Sequence, residues 1–349
     1  MAGFYLTGSI NVPTIDGAFR LVGERLQPGT TRVPDGEPGD RANWVLTQAE
    51  HFLQNPSLDV VDKKVRVRRG SVVSFAPVDY HTVAAQSYAR FVAARQQGVL
   101  AADSRFLVSI PTPFNAVNSF AELDSQVEVA YAYERQLRNS VEALQEAIPP
   151  SDLAIQWDLP TELATIEGWF PNPYGGFEPI FAATARLASW VHDDAELTFH
   201  LCYGDSKFGA SPFMGDPPDE QAAARGGRHI LPRDASAIVT LANGLSRHVN
   251  RRIDAIQAAT VAAWTKRAHW QPLSGLALES DTEIYLGLLH AEDGAAGART
   301  RAALAEEFLP TFGISTECGL GRHSAEQLEA VLVAWQEYAE TREPVLAAT

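Results

Sequence analysis

Cysteine is scarce in this chain: 349 residues include only two, Cys202 and Cys318. So few do not make a disulfide framework, and free thiols in a reducing compartment are expected. Their placement therefore carries more information than their number. Positive charge is also short. Lys and Arg total 28 against 43 Asp and Glu, a formal net charge of −15. That balance argues against a nucleic-acid backbone or an anionic membrane surface as partner, since both would repel the chain. The one basic cluster, "KKVRVRR" (63–69), alternates as a strand with a basic solvent face would. No run approaches the roughly 20 apolar residues of a membrane span. The opening "MAGFYLTGSI" has no signal-like basic region, so a cytoplasmic location is the expectation. Neither a GxGxxG nor a P-loop occurs, which leaves a nucleotide-binding α/β fold without its motif.

What is present is an apolar fraction of 46% and a charged fraction of 20%, the composition of a globular chain with an ample core. Strand-like runs fall at 4–9, 31–36, 105–111, 153–158, 197–202, 253–258, 283–289 and 313–318. The clearest amphipathic stretches lie between them, at 83–98, 123–146, 179–191, 235–249, 297–308 and 324–340. Eight strands, each followed by helical sequence, predict an α/β fold: a single (β/α)8 TIM barrel over 1–349 with inserted loops. The Gly- and Pro-rich segment 206–233 interrupts the fifth unit and is expected to be a long loop or lid over the active face. Residues 56–82 read as a second insertion, a small hairpin. There is no internal repeat beyond the β/α alternation.

In such a barrel the active site lies at the C-terminal ends of the strands. Ser9, Glu37, Asp158, His200, Cys202, His290 and Cys318 all fall there. Residues two apart on a strand point the same way. In "FHLC", His200 and Cys202 can therefore share the barrel interior while Leu201 turns outward. An imidazole and a thiolate at that spacing, joined by the thiolate of Cys318, form a soft nitrogen–sulfur site suited to Zn²⁺. The competing reading is two buried, inert cysteines. Their joint position at strand ends favours the metal.

The motifs resemble a known family. "FHLCYGD" and "ISTECGLGR" are similar to the H-x-C and D-C-G-L zinc-ligand motifs of cobalamin-independent methionine synthase. That family belongs to a superfamily with uroporphyrinogen-decarboxylase-like barrels and zinc-dependent thiol alkyltransferases. "YLTGSI", "VPDGEPGDRANWV", "SIPTPFNAV", "IQWDLPTELA" and "YLGLLH" extend the resemblance, in order, through most of the chain. It covers the C-terminal, catalytic barrel of those two-barrel synthases. It implies zinc held by His200, Cys202 and Cys318, with Ser9, Glu37 and Asp158 around the amino-acid part of a thiol substrate. His290 would lie near the reacting centre. The chain departs from the pattern twice. Where the family has a glutamate ligand ending the sixth strand, "IDAIQAAT" offers Gln257, leaving the fourth position to Gln257, water or substrate. Leu159 replaces the acid that follows the family's aspartate.

The implied activity is methyl or alkyl transfer to a zinc-activated thiol, from a folate, corrinoid, thioether or epoxide donor. The alternatives are a metal-free decarboxylase or lyase on the same barrel, and a non-catalytic zinc- or thiol-binding protein. Several residues have two readings. Glu37 is a substrate carboxylate or a helix cap, Asp158 a substrate contact or a turn-former before Pro160, and His290 a general acid or a structural histidine. Trp157 and Tyr203 are expected to wall the pocket, and Asn115 to orient a donor. Arg41 and Arg322 would hold anionic groups or form ordinary ion pairs.

Overall fold

The computed structural model describes residues 3–204, 230 and 232–341. Eight parallel strands form one sheet: β1 (Phe4–Tyr5), β2 (Arg32–Pro34), β5 (Arg105–Pro111), β6 (Leu153–Asp158), β7 (Glu196–Leu201), β8 (Ala255–Ala258), β9 (Glu283–Leu289) and β10 (Gly313–Thr316). Their order, β1-β10-β9-β8-β7-β6-β5-β2, follows the chain around a ring. The ring closes at the mouth, where Ser9 bridges Gly36 and the Ile10 N–H donates to Gly36 O at 2.8 Å. This is the (β/α)8 barrel that the alternation of elements predicts.

Period-2 alternation sorts the strand side chains into two apolar sets. Tyr5, Leu107, Ala154, Ala255 and Tyr285 cluster inside the barrel. Phe106, Val108, Ile155, Leu197, Ile256 and Leu286 belong to the larger core between sheet and helices. A polar layer sits inside, above the apolar one. The Tyr5 hydroxyl lies 2.9 Å from Gln156 Oε1 and from Thr198 Oγ1. Gln156 Nε2 donates to Thr7 O at 2.6 Å and to Asp158 Oδ1 at 2.7 Å. The barrel is thus filled to its mouth, and the chemistry has to take place on top of this plug.

The six amphipathic stretches are helices at 80–96, 126–147, 178–188, 236–248, 294–306 and 325–340. Three further helices of eight residues or more pack on the barrel. Ile15–Arg25 is capped by Thr14, whose hydroxyl accepts from the Gly17 N–H at 3.1 Å. Thr112 caps Pro113–Phe120 in the same way, through the Asn115 N–H. Pro160 opens Pro160–Glu167, and Gly168 closes it in the left-handed region at φ 88°.

Within 56–82, β3 (Leu58–Val61) and β4 (Lys64–Val67) pair antiparallel. Asp62 and Lys63 turn the chain at φ 46° and 68°, the left-handed pair that a two-residue hairpin loop needs. The segment read as a lid, 206–233, lies almost wholly outside the described residues. Among the described residues, no helix is long and apolar enough to cross a membrane.

Candidate metal and substrate site

The parallel register sets Asp158 beside His200 and His200 beside Gln257. With 156, 158, 198, 200 and 257 facing inward, three adjacent strands deliver a carboxyl, an imidazole and an amide to one level of the mouth. All three side chains are buried. His200 Nδ1 meets Gln257 Oε1. Its other nitrogen, Nε2, is buried with no hydrogen-bond partner among the described residues. A buried imidazole nitrogen without a partner is costly, and a metal ion is a group that would satisfy it.

Cys202 and Cys318 complete the cluster. One ring nitrogen of His200 and the two sulfurs all lie within 4.8 Å of one another, and neither cysteine is in a disulfide. The Cys202 S–H lies against the Cys318 sulfur, and with the nearby His200 this holds the Cys318 thiol well below its ordinary value. Burial, the Cys318 sulfur and Asp158 push the Cys202 thiol up. Burial alone would pull His200 down, but Cys318 and Asp158 hold it above the usual imidazole value. The set of one imidazole nitrogen and two cysteine sulfurs fits a soft tetrahedral ion with one position left over.

Cys318 reaches this place because the glycines after it permit close approach. A Cβ at Gly319 would lie 2.4 Å from Ser9 Oγ, and one at Gly321 would lie 2.6 Å from Ser9 Cβ. Ser9 O in turn accepts from the Leu320 N–H at 2.6 Å. The "CGLG" run is therefore clamped to the first strand at the mouth. Gly319→Ala is expected to lower stability by about 1–3 kcal/mol through overpacking. Urea unfolding of the metal-free protein measures it, and a change under about 0.5 kcal/mol would show that Ser9 simply swings away.

Acid surrounds the cluster. Asp158 is pushed up to about 7, chiefly by burial and secondarily by Cys318, while His200 and the Gln156 amide oppose the rise. Glu37 sits in the left-handed region at φ 45°, a strained conformation of the kind that marks functional turns. The residue is half-buried, and desolvation followed by Asp35 and Asp158 drives its carboxyl above the carboxylate range, against Arg41 and Arg322. It reaches over the barrel axis: a Cβ on Gly8 would lie 3.2 Å from both Glu37 Oε1 and Ser109 Oγ. Asp35 is the turn-former here, accepting from the Glu37 N–H at 2.9 Å and from the Ser87 hydroxyl at 2.5 Å. Arg41 pairs with Asp35 at 2.8 Å and lines the same cleft as Glu37. A cleft of about 100 Å³ runs between Asp79, Gln48 and Tyr80 to Glu37 and Ser109.

The remaining expected residues divide. Ser9 is at the mouth, as above. His290 is buried with Nδ1 3.7 Å from Glu317 Oε2, one residue before Cys318. Arg322 meets the Ala42 carbonyl and is near enough to lower both Glu37 and Cys318. Asn115 is buried beside the first turn after β6, accepting from the Thr161 hydroxyl at 3.2 Å. Its Nδ2 has no partner among the described residues.

One expectation is corrected. Trp157 does not line the pocket: Gln156 and Asp158 face inward, so Trp157 must face outward, where its ring meets Trp190 edge-on at 6.0 Å. Tyr203 stands just past the end of the next strand, β7. It lies beside Glu167 and Asp234, and burial, then Glu167, raise its phenol.

Two buried acids were not anticipated. Glu162 accepts from the Thr112 hydroxyl at 2.5 Å, its Oε2 lacks a partner among the described residues, and burial pushes it up to about 7. In sequence it reads only as a favourable acid in a helix first turn. Glu317 is the other, and its alternation with Cys318 gave no signal.

Fold and mouth together define a (β/α)8 barrel with a His-Cys-Cys cluster at the C-terminal ends of its strands. The chain superposes on solved structures of the same architecture. It is similar to a B12-independent methionine synthase from Shewanella sp. W3-18-1 solved in complex with selenomethionine, at TM-score 0.64 and 16% identity, covering 99% of each chain. It is also similar to a candidate vitamin-B12-independent methionine synthase from Listeria monocytogenes, at TM-score 0.56 and 14% identity, covering 98% of this chain and 99% of that one. At such identities the likeness is one of fold. No protein-family model matches the sequence, and no curated protein matches it.

Proposed function

We propose that the protein is a zinc-dependent transferase that moves a methyl or alkyl group onto a small thiol. The observation that carries this reading is the cluster itself: a buried His200 nitrogen with no protein partner, within 4.8 Å of two free cysteine sulfurs. His200, Cys202 and Cys318 would hold the ion. Bound there, Zn²⁺ supplies Lewis-acid chemistry that lowers the pKa of a substrate thiol.

The chain's own groups account for the rest. Burial raises Asp158 more than His200 lowers it, and raises Glu37 more than Arg41 and Arg322 lower it. A substrate ammonium is the group that would restore their charge. That favours an amino-acid thiol of the homocysteine type as acceptor, lodged between the cluster and the cleft below Tyr80, with Ser9 at its edge. Asn115 Nδ2 would give one hydrogen bond to the donor. In the transfer the thiol sulfur loses its proton and forms a bond to carbon. The thiol proton passes to solvent and the donor's bond to that carbon breaks. A departing nitrogen, oxygen or thioether sulfur takes a proton from His290, which Glu317 orients, whereas a corrinoid departs with the bonding electron pair and needs none. A folate or a corrinoid protein fits as methyl donor, with thioethers and epoxides as further candidates. The selenomethionine bound by the Shewanella neighbour is the selenium counterpart of the product of such a transfer. A cytoplasmic setting agrees with two free thiols.

The test is consumption of thiol. Zinc-loaded protein given homocysteine and a methylated folate or methylcorrinoid is expected to deplete free thiol in step with donor demethylation. Stoichiometric zinc with no thiol loss for any donor class would make the protein a binder rather than a transferase.

A further inference from the structure

Gln257 occupies the place where the resemblance implies a metal-binding glutamate, yet its amide is fully committed elsewhere. The side chain is completely buried. Its Nε2 donates to Ser315 Oγ at 2.8 Å and to Thr316 O at 2.9 Å. A backbone carbonyl can only accept, so this contact fixes which end of the amide is nitrogen and turns Oε1 toward His200 Nδ1. Oε1 can only accept as well, so Nδ1 must carry a hydrogen. The neutral ring then has its lone pair on Nε2, the atom without a partner.

From this geometry we infer that Gln257 is a positioning residue and not a ligand: it fixes the His200 tautomer and ring angle so that Nε2 faces the cysteines. The inference rests on the metal reading above. The protein's contribution to the ion is then three ligands, with no carboxylate among them. Turning Oε1 onto an ion would break the bond to His200 and draw Nε2 away from both of its acceptors. The donor requirement also explains glutamine here, because a carboxylate could not donate to Thr316 O. Hydrogen-bond partners of metal-binding histidines set metal affinity in this way across many sites.

Two measurements test it. In a zinc competition against a chromophoric chelator, Gln257→Leu is expected to bind about 10–100-fold more weakly than wild type. Gln257→Glu, which keeps an acceptor for Nδ1–H but loses the donor to Thr316 O, is expected to bind more tightly than Gln257→Leu and no more tightly than wild type. In ¹⁵N-histidine-labelled protein loaded with ¹¹³Cd, metal coupling is expected at His200 Nε2, with Nδ1 still protonated. Coupling at Nδ1, or a Gln257→Leu affinity equal to wild type, overturns the inference. Should Gln257→Leu fail to fold, the coupling in wild type decides alone. Should wild type take up no metal, the function proposed above fails separately. The proton position in metal-free protein at alkaline pH then decides for Gln257: on Nδ1 it supports the assignment, on Nε2 it refutes it.

Discussion

Cys318→Ser is expected to reduce bound zinc from about one ion per chain to near zero, and thiol alkylation with it. A serine hydroxyl does not ionise at neutral pH, whereas the Cys318 thiol is already lowered by the Cys202 S–H and then by His200. Losing it removes one of three ligands and the group that the other two face. The substitution is conservative in volume, and Cys318 is only partly buried, so the barrel should still fold with an unchanged circular dichroism spectrum. Cys202→Ser should match it in metal loss. Plasma emission spectroscopy on protein purified under reducing conditions measures the effect. Stoichiometric zinc retained in a well-folded Cys318→Ser protein would place the ion elsewhere.

Asp158→Asn has the second large effect, and its two readouts run in opposite directions. The folded carboxyl is held at about 7, against an ordinary value of 3.8. Between those two values the native state binds more protons than the unfolded one, so stability falls as pH rises through this window. The cost is absent below about pH 4 and fully present above about pH 7. Asn removes it. In metal-free protein Asp158→Asn is therefore expected to be neutral near pH 4 and stabilising at pH 8, by at most on the order of 4 kcal/mol. Its Oδ1 can still accept from Gln156. A bound dication would lower the carboxyl and shrink the gain, so adding zinc should narrow the difference between the variants. Activity should move the other way. Loss of a charged hydrogen bond to the substrate ammonium, about 1.5–3 kcal/mol, corresponds to roughly a 10–150-fold fall in kcat/KM. Denaturant melts at several pH values check the first, and initial rates the second. Equal stability of the two proteins at pH 8 would mean that Asp158 is better solvated than its burial indicates.

Much of the fold was legible in the sequence because both of its periods are clean. The eight strand-like runs overlap the eight barrel strands, and the six clearest amphipathic stretches are all helices. The three longest helices outside that set are short or begin directly at a strand end. There a capping Thr14 or Thr112, or Pro160 at the first turn, is the signal rather than a long apolar stripe. At the site, period 2 put His200 and Cys202 on one face, as the structure does. The same parity, applied one strand back, places Trp157 outward with Leu201, and treating a strand-end aromatic as pocket lining ignored it.

Cys318 was less determined. The register between β10 and β9 shifts between Ser315 and Thr316, so alternation does not predict which of Glu317 and Cys318 turns toward His200. Cys318 does so because Gly319 and Gly321 let the following turn press against Ser9. Glu162 and Gln257 depend on partners far away in the chain, Thr112 in one case and His200, Ser315 and Thr316 in the other. No local pattern carries such information. Only the closed barrel brings those groups within hydrogen-bond reach.

X-ray absorption at the zinc edge tests the central claim most directly, because it counts sulfur neighbours without assuming a reaction. Wild-type protein is expected to show two sulfurs at about 2.3 Å together with one or two nitrogen or oxygen neighbours, and a third sulfur once a thiol substrate is added. Near-zero metal in carefully reduced protein, or a sulfur count fixed at two while alkylation proceeds, would contradict the account.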